Sequence, residues 1–408
     1  MTDRFTSTFA VEAEAVGSSF RNALAALVQA DPEGIEPAAV VERFGVDSTL
    51  AWKLSRQVSA QAGLDVFRHM PGPAALRGML GRATDAGSPR EAIAAFGIAI
   101  DAYQDLLRRH AGSRRAFDVL IAGQLASRED AEAESRLELD LRRAGYESAA
   151  FVQGVKARTQ FAVGVLWPNE DMIGLAVLRG TLGLQRLRPN AMWRVSHVAK
   201  VTKPDSGTPG SSSDVEMVPI DPGSEGGLPI MGPFSSVGQE TFTQSESSDE
   251  LIEYEVTPGE VGDQAAMDLV FGERIGRARP RSIRDAGMQQ FMHIGGVKTP
   301  CEQFVYDALV HEELFESAHP AARVFSTIYA RSTTNLRDTD ELPIRPLVEE
   351  RGRGLDGLEL SGHTRHVSML RYALASAGLD ERSLVASRIT IAFPPVPMTL
   401  KATWERPA

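Results

Sequence analysis

The spacing of apolar residues changes about a third of the way along this chain, and the change restricts the folds open to it. Phe9, Ala13, Val16, Phe20, Ala23, Leu24 and Leu27 recur at three- and four-residue steps and stop before Asp31-Pro32-Glu33-Gly34, which is one stripe of an amphipathic helix. The same periodicity predicts helices over about 37–44, 48–61, 73–82, 88–110, 113–125 and 128–143. Their separators are Met70-Pro71-Gly72-Pro73, Ser88-Pro89 and His110-Ala111-Gly112-Ser113, clusters that break a helix. The first 150 residues are rich in alanine, leucine, arginine and glutamate, so the N-terminal part is expected to be all-α.

From Tyr146 to Gln160 the pattern still permits a helix, but Phe161-Ala162-Val163-Gly164-Val165-Leu166-Trp167 reads as a strand. Leu182–Pro189 and Trp193–Val201 alternate well enough to suggest paired strands. Residues 204–250 are dense in serine, glycine, proline and acidic residues and have little to bury, so a polar acidic loop or linker is expected there. A helix starting near Pro300, another at about 365–377, and strands at Ser387–Phe393 and Met398–Trp404 complete the reading. The expected fold class is therefore α+β and multidomain: an all-α N-terminal part followed by a mixed α/β-sheet C-terminal part. A chain of 408 residues fits this division. Its expected boundaries are 1–66, then 67–145 as an α-helical domain or connector, then 146–408.

A single cysteine, Cys301, excludes an intrachain disulfide framework and a cysteine-based zinc cage. No basic stretch followed by an apolar run opens the chain, and no apolar segment approaches the roughly 18 residues of a membrane-spanning helix. A cytoplasmic protein without a membrane partner is expected. The net charge of −11 opposes the coating of nucleic acid, but it is unevenly distributed. Residues 1–66 carry roughly −4, 67–150 about zero, 151–205 about +5, 206–300 roughly −9 and the remainder about −3.

The stretch Glu36 to Val58 has an internal logic of its own. Pro37 suits the first turn of a helix, where its missing N–H would have had no partner. Gly45 can take a positive φ at a sharp turn, Val46 can plug the space between two helices, and Asp47 or Ser48 can cap the second. Val41, Phe44, Val46, Ala51, Leu54 and Val58 fall on the side to be buried; Asp47, Ser48, Thr49, Trp52, Lys53 and Arg56 fall on the leading end and outer face of the second helix. In spacing and residue type, residues 37–58 resemble the helix-turn-helix transcriptional regulator superfamily. The resemblance implies double-stranded DNA as partner, with that outer face entering the major groove. Ser48 and Thr49 would then contact phosphates or base edges, Arg56 would bind phosphate, and Lys53 or Arg56 would read guanine. It also implies a homodimer, to match the symmetry of operators. The alternative is a non-enzymatic scaffold in which the helix pair packs against protein and Trp52 is buried in an interface.

Other candidate chemistry carries less. Thr299 to Glu302 has the form of a capping box, which would place Cys301 in the first turn of a helix as a buried small residue or a reactive thiol. His363 and His366 stand three apart and His311 precedes Glu312-Glu313, but no metal-binding frame surrounds them. The glycines of Arg351–Gly354 and Gly223–Gly227 lack the context of a phosphate-binding loop and read as turns. Arg179, Arg186, Arg188, Arg194, Lys200 and Lys203 form the most basic run, either a phosphate-contacting surface or the solvent face of a sheet, open to neutralisation by the acidic 205–273 segment. No catalytic, cofactor-binding or metal-binding residues are nominated, and an enzyme is the least favoured reading.

Overall fold

The computed structural model describes residues 8–30, 34–126, 136–198, 217–224, 227–247, 251–282, 287, 289–328 and 336–407. It has the expected α+β architecture in two compact units, residues 1–141 and 142–408. No helix among the described residues is long and apolar enough to cross a membrane.

Unit 1 is helical: α1 (Thr8–Val28), α2 (Pro37–Phe44), α3 (Ser48–Val58), α4 (Gly63–Val66), α5 (Pro73–Asp85), α6 (Arg90–His110), α7 (Arg114–Ala126) and the start of α8 (Arg136–Gln153). One core runs through it, from Phe9, Phe20 and Leu24 of α1 to Phe96 and Tyr103 of α6 and Phe117 of α7. Residues 1–66 and 67–125 thus share buried surface. A close crossing fixes α1 against α4. A Cβ on Gly17 would stand 2.0 Å from the carbonyl oxygen of Gly63, so only glycine permits the approach. The Glu14 carboxylate seals the crossing by accepting hydrogen bonds from the backbone N–H groups of Gly63 at 2.6 Å and Leu64 at 3.0 Å.

Unit 2 is built on a seven-stranded sheet. The hairpin of β1 (Val155–Asn169) and β2 (Met172–Arg186) is its centre. Beyond β1 lie β9 (Cys301–His311), parallel to it, then β12 (Leu384–Ala392) and β11 (Val348–Arg353); beyond β2 lie β7 (Met267–Pro280) and β4 (Val218–Pro219). Both faces are covered, which explains the continuous apolar run of β1. Phe161, Val163 and Val165 share a core with Met369, Leu370, Ala373 and Leu374 of α9 (His366–Ala377). Ala162 and Leu166 point the other way, into a core shared with a second sheet of β10 (Ala321–Ser326), β13 (Met398–Glu405) and β8 (Gln290–Val297). A third sheet joins β3 (Arg194–Val198), β6 (Leu251–Val256) and β5 (Phe242–Ser247).

Several sequence expectations are corrected by this topology. The helix expected from Pro300 is strand β9: Cys301, Phe304 and Tyr306 are more useful between two apolar layers than in a capped helix. The helix permitted as far as Gln160 ends at Gln153, and β1 begins two residues later, after Gly154 at φ +74°. Among the described residues, Leu182–Pro189 and Trp193–Val198 do not pair with each other; β2 pairs with β1 and β7, and β3 pairs with β6, while residues 199–201 of the second expected strand lie outside the described residues. Of the expected polar excursion at 204–250, residues 204–216, 225–226 and 248–250 lie outside the described residues. The rest is packed in part, since Ile220, Leu228, Ile230, Met231 and Phe234 are buried.

Candidate nucleic-acid interface

The turn between α2 and α3 is assembled from the residues that the sequence nominates. Pro37 occupies the first turn of α2, and Gly45 takes φ +61° where its N–H bonds back to the carbonyl of Val41. Asp47 caps α3, its carboxylate accepting from the N–H of Leu50 at 2.9 Å. The guanidinium of Arg82, from α5, holds the turn from outside by donating to the carbonyl of Gly45. Phe44, Val46, Ala51 and Leu54 are buried, and Val41 and Val58 pack partly against the same core.

The opposite side of α3 is open. Ser48, Thr49, Trp52 and Arg56 are exposed and Lys53 is half-buried. Ser48, Thr49, Trp52 and Lys53 line a cleft of about 610 Å³, and its other wall brings in Arg68, His69, Arg114 and Arg136, with the carboxylate of Asp140 beside them. Those four come from three separate stretches of unit 1, so no local pattern in the sequence marks them. Two of the cations are already engaged: Arg68 with Asp65 at 3.0 Å, and Arg114 with Asp118 at 2.7 Å and with the carbonyls of Met70 and Pro71. Lys53 and Arg56 form no ion pair among the described residues. Their field is felt locally: burial, together with Arg56, Arg68 and Lys53, holds the His69 ring below the usual histidine range. His69 meets Trp52 edge to face at 4.9 Å, and the Arg56 guanidinium lies 5.7 Å from the indole.

The basic run in unit 2 is a different matter. Arg179 pairs with Glu273 at 3.2 Å, Arg194 with Glu255 at 2.7 Å, and Arg186 and Arg188 donate to backbone carbonyls of Thr257 and Val152. Both carboxylates come from the acidic 205–273 segment. Lys200 and Lys203 lie outside the described residues.

His363 and His366 belong to a buried cluster at the start of α9. Asp307 on β9 accepts from Arg388 on the adjacent β12 at 2.7 and 2.8 Å, and its Oδ2 lies 3.0 Å from His366 Nε2. Arg388 also donates to the carbonyls of Leu358 and Glu359. Burial alone would raise the Asp307 carboxyl, but the hydrogen bonds from Arg388 and His366 outweigh it and hold the group below its usual range. His363 stacks on Phe161 with 6.3 Å between ring centroids, and burial lowers it. The cluster ties α9 to the sheet. The thiol of Cys301 is fully buried, which pushes its pKa up and makes it a poor nucleophile. Among the described residues no group of histidine, cysteine or acidic side chains is placed to hold a metal ion.

No family model, curated protein or solved structure matches the chain.

Proposed function

We propose that the protein is a DNA-binding transcription regulator of the helix-turn-helix kind, acting from the cytoplasm as a homodimer, with unit 2 serving assembly or sensing. One observation carries the reading: the outer face of α3 presents Ser48, Thr49, Trp52, Lys53 and Arg56 to solvent, and its two cations are not consumed by ion pairs among the described residues. A net charge of −11 works against approach to phosphates, so binding depends on this local surface and weakens steeply with salt. Unit 2 offers no competing basic face among its described arginines at 179–194, since Arg179 and Arg194 are paired and Arg186 and Arg188 are bonded to carbonyls. A genome-wide pull-down at stated salt tests the proposal. Discrete enriched sites with the wild type, lost in Lys53→Ala/Arg56→Ala, are expected; enrichment indifferent to that pair removes the regulator reading.

The scaffold reading has one observation in its favour. Phe151 and Val152, at the end of α8, and Leu187 and Met192, in the loop after β2, are large apolar side chains left exposed, Phe151 at 75% and Met192 at 60%. In that reading the protein assembles without nucleic acid and Trp52 is covered on assembly. Light scattering with fluorescence quenching separates the two: a defined oligomer with Trp52 protected in the absence of DNA supports the scaffold.

A further inference from the structure

Trp52 stands on a ridge between two hollows. One is the cleft of about 610 Å³ bounded by Ser48, Lys53, Arg136 and Asp140; the other, of about 820 Å³, lies on the α2 side and is bounded by Glu36, Ser55 and Arg56, with Arg43 turned to Val28 and Gln29. Trp52 lines both and is 40% exposed, whereas Trp167, Trp193 and Trp404 are buried. Its neighbours hold it in place, His69 at its edge and Arg56 at the ring. Each hollow has the volume of a small-molecule pocket, enough for a nucleotide's phosphate and sugar. An exposed aromatic ring with cation-bearing hollows on both sides meets the needs of an unstacked base and the phosphates before and after it. The sequence-tolerant energy of such a site comes from the ring, and the salt dependence from the cations.

Resting on the reading of α3 as a nucleic-acid contact, we propose that the Trp52 ridge binds unpaired nucleotides of a single strand. One base stacks on Trp52, and the flanking phosphates are received by Lys53 in one hollow and by Arg56 in the other. This specifies the form of nucleic acid that α3 engages: a single strand, or a duplex with an unpaired stretch, in preference to a fully paired duplex.

The experiment uses the full chain with three probes: oligothymidylate of about ten nucleotides, a fully paired duplex of the same length, and thymidine 5′-monophosphate. Acrylamide quenching of tryptophan fluorescence reports chiefly on Trp52, because the other three indoles are buried. The expected result is that oligothymidylate protects Trp52 and binds more tightly than the duplex. Trp52→Ala weakens that binding about tenfold or more, and Trp52→Phe, which keeps a ring, retains most of it. If Trp52→Ala fails to fold by circular dichroism, protection of the wild-type indole and the Trp52→Phe affinity decide the matter. Tighter binding of the paired duplex, with Trp52 still quenchable and Trp52→Ala unaffected, overturns the ridge and leaves DNA binding by α3 standing. Binding of neither nucleic acid overturns both. Saturation by the monophosphate that oligothymidylate cannot compete away overturns the strand reading in favour of a small ligand.

Discussion

The face of α3 and the cluster at the start of α9 are made of similar residue types and do opposite things with them. At Asp307 both formal charges are buried and answered: Asp307 is 1% exposed, and Arg388 satisfies both the carboxylate and two carbonyls, while His366, fully buried, meets Asp307 through Nε2 and leaves its Nδ1 without a partner among the described residues. On α3 Arg56 is exposed and Lys53 half-buried, and neither forms an ion pair among the described residues, although Asp140 lines the cleft that Lys53 borders. A polar group that already has its partners holds the fold together; one held in position without a partner is available to a ligand. That contrast, rather than the identity of the residues, separates the histidines of unit 2 from the surface offered by unit 1.

Removing the buried anion should give the largest effect. Asp307→Ala leaves Arg388 charged and His366 without its acceptor, and is expected to cost unit 2 about 3–5 kcal/mol in urea unfolding while leaving the helical transition of unit 1 in place. A loss below about 1 kcal/mol would mean that the cluster does not hold α9.

Acid should act on the same unit. Burial lowers the pKa of His293, hydrogen-bonded to the Tyr306 hydroxyl at 2.8 Å, to about 4. Between the unfolded value near 6.5 and that folded value the unfolded chain binds a proton that the folded chain refuses, so stability rises with pH across the window and is lost on acidification. The expected loss from pH 6.5 to 4 is about 3 kcal/mol from this group alone. Asp307 has the same sign lower down: its depressed folded value gives stability present above about pH 4 and lost as pH falls further. His293→Gln should flatten the upper part of the unfolding profile; an unchanged slope would assign the acid sensitivity elsewhere.

Smaller effects are expected in unit 1. Asp47→Ala removes the cap of α3 and should cost about 1 kcal/mol, measured as a lower midpoint for the helical transition. Lys53→Ala/Arg56→Ala should leave stability within about 0.5 kcal/mol, because neither side chain is in an ion pair among the described residues and the Arg56 contact with Trp52 is at an exposed ring. A cost well above that would place these cations with the structural charges and dissolve the contrast with Asp307.

The helix pair was legible because each of its determinants is local. Pro37, Gly45 and Asp47 act within one turn of themselves, and the spacing of Phe44, Val46, Ala51 and Leu54 reports the buried side directly. The cleft was half legible: Ser48 to Arg56 could be read from one helix, whereas Arg68, His69, Arg114 and Arg136 reach it through tertiary packing. His363 and His366 were visible as a pair, but their anchor Asp307 lies 59 residues from His366 and its other partner Arg388 lies 81 residues beyond Asp307. Short-range patterns cannot register such pairings. Cys301 misled for the converse reason. Thr299 and Glu302 have the spacing of a capping box, but the apolar residues from Phe304 to Val310 fill both sides of a buried strand, and that burial outweighs a local cap.

The central claim, that α3 carries the nucleic-acid contact, is tested most directly by fluorescence anisotropy of labelled DNA, paired and with an unpaired stretch, between about 50 and 200 mM salt. The wild type should bind with an affinity that falls linearly on a logarithmic salt axis. Lys53→Ala/Arg56→Ala should bind more weakly, with a slope on paired DNA reduced by about two, one ion released per lost phosphate contact. Identical affinities and slopes for the two proteins would contradict the claim.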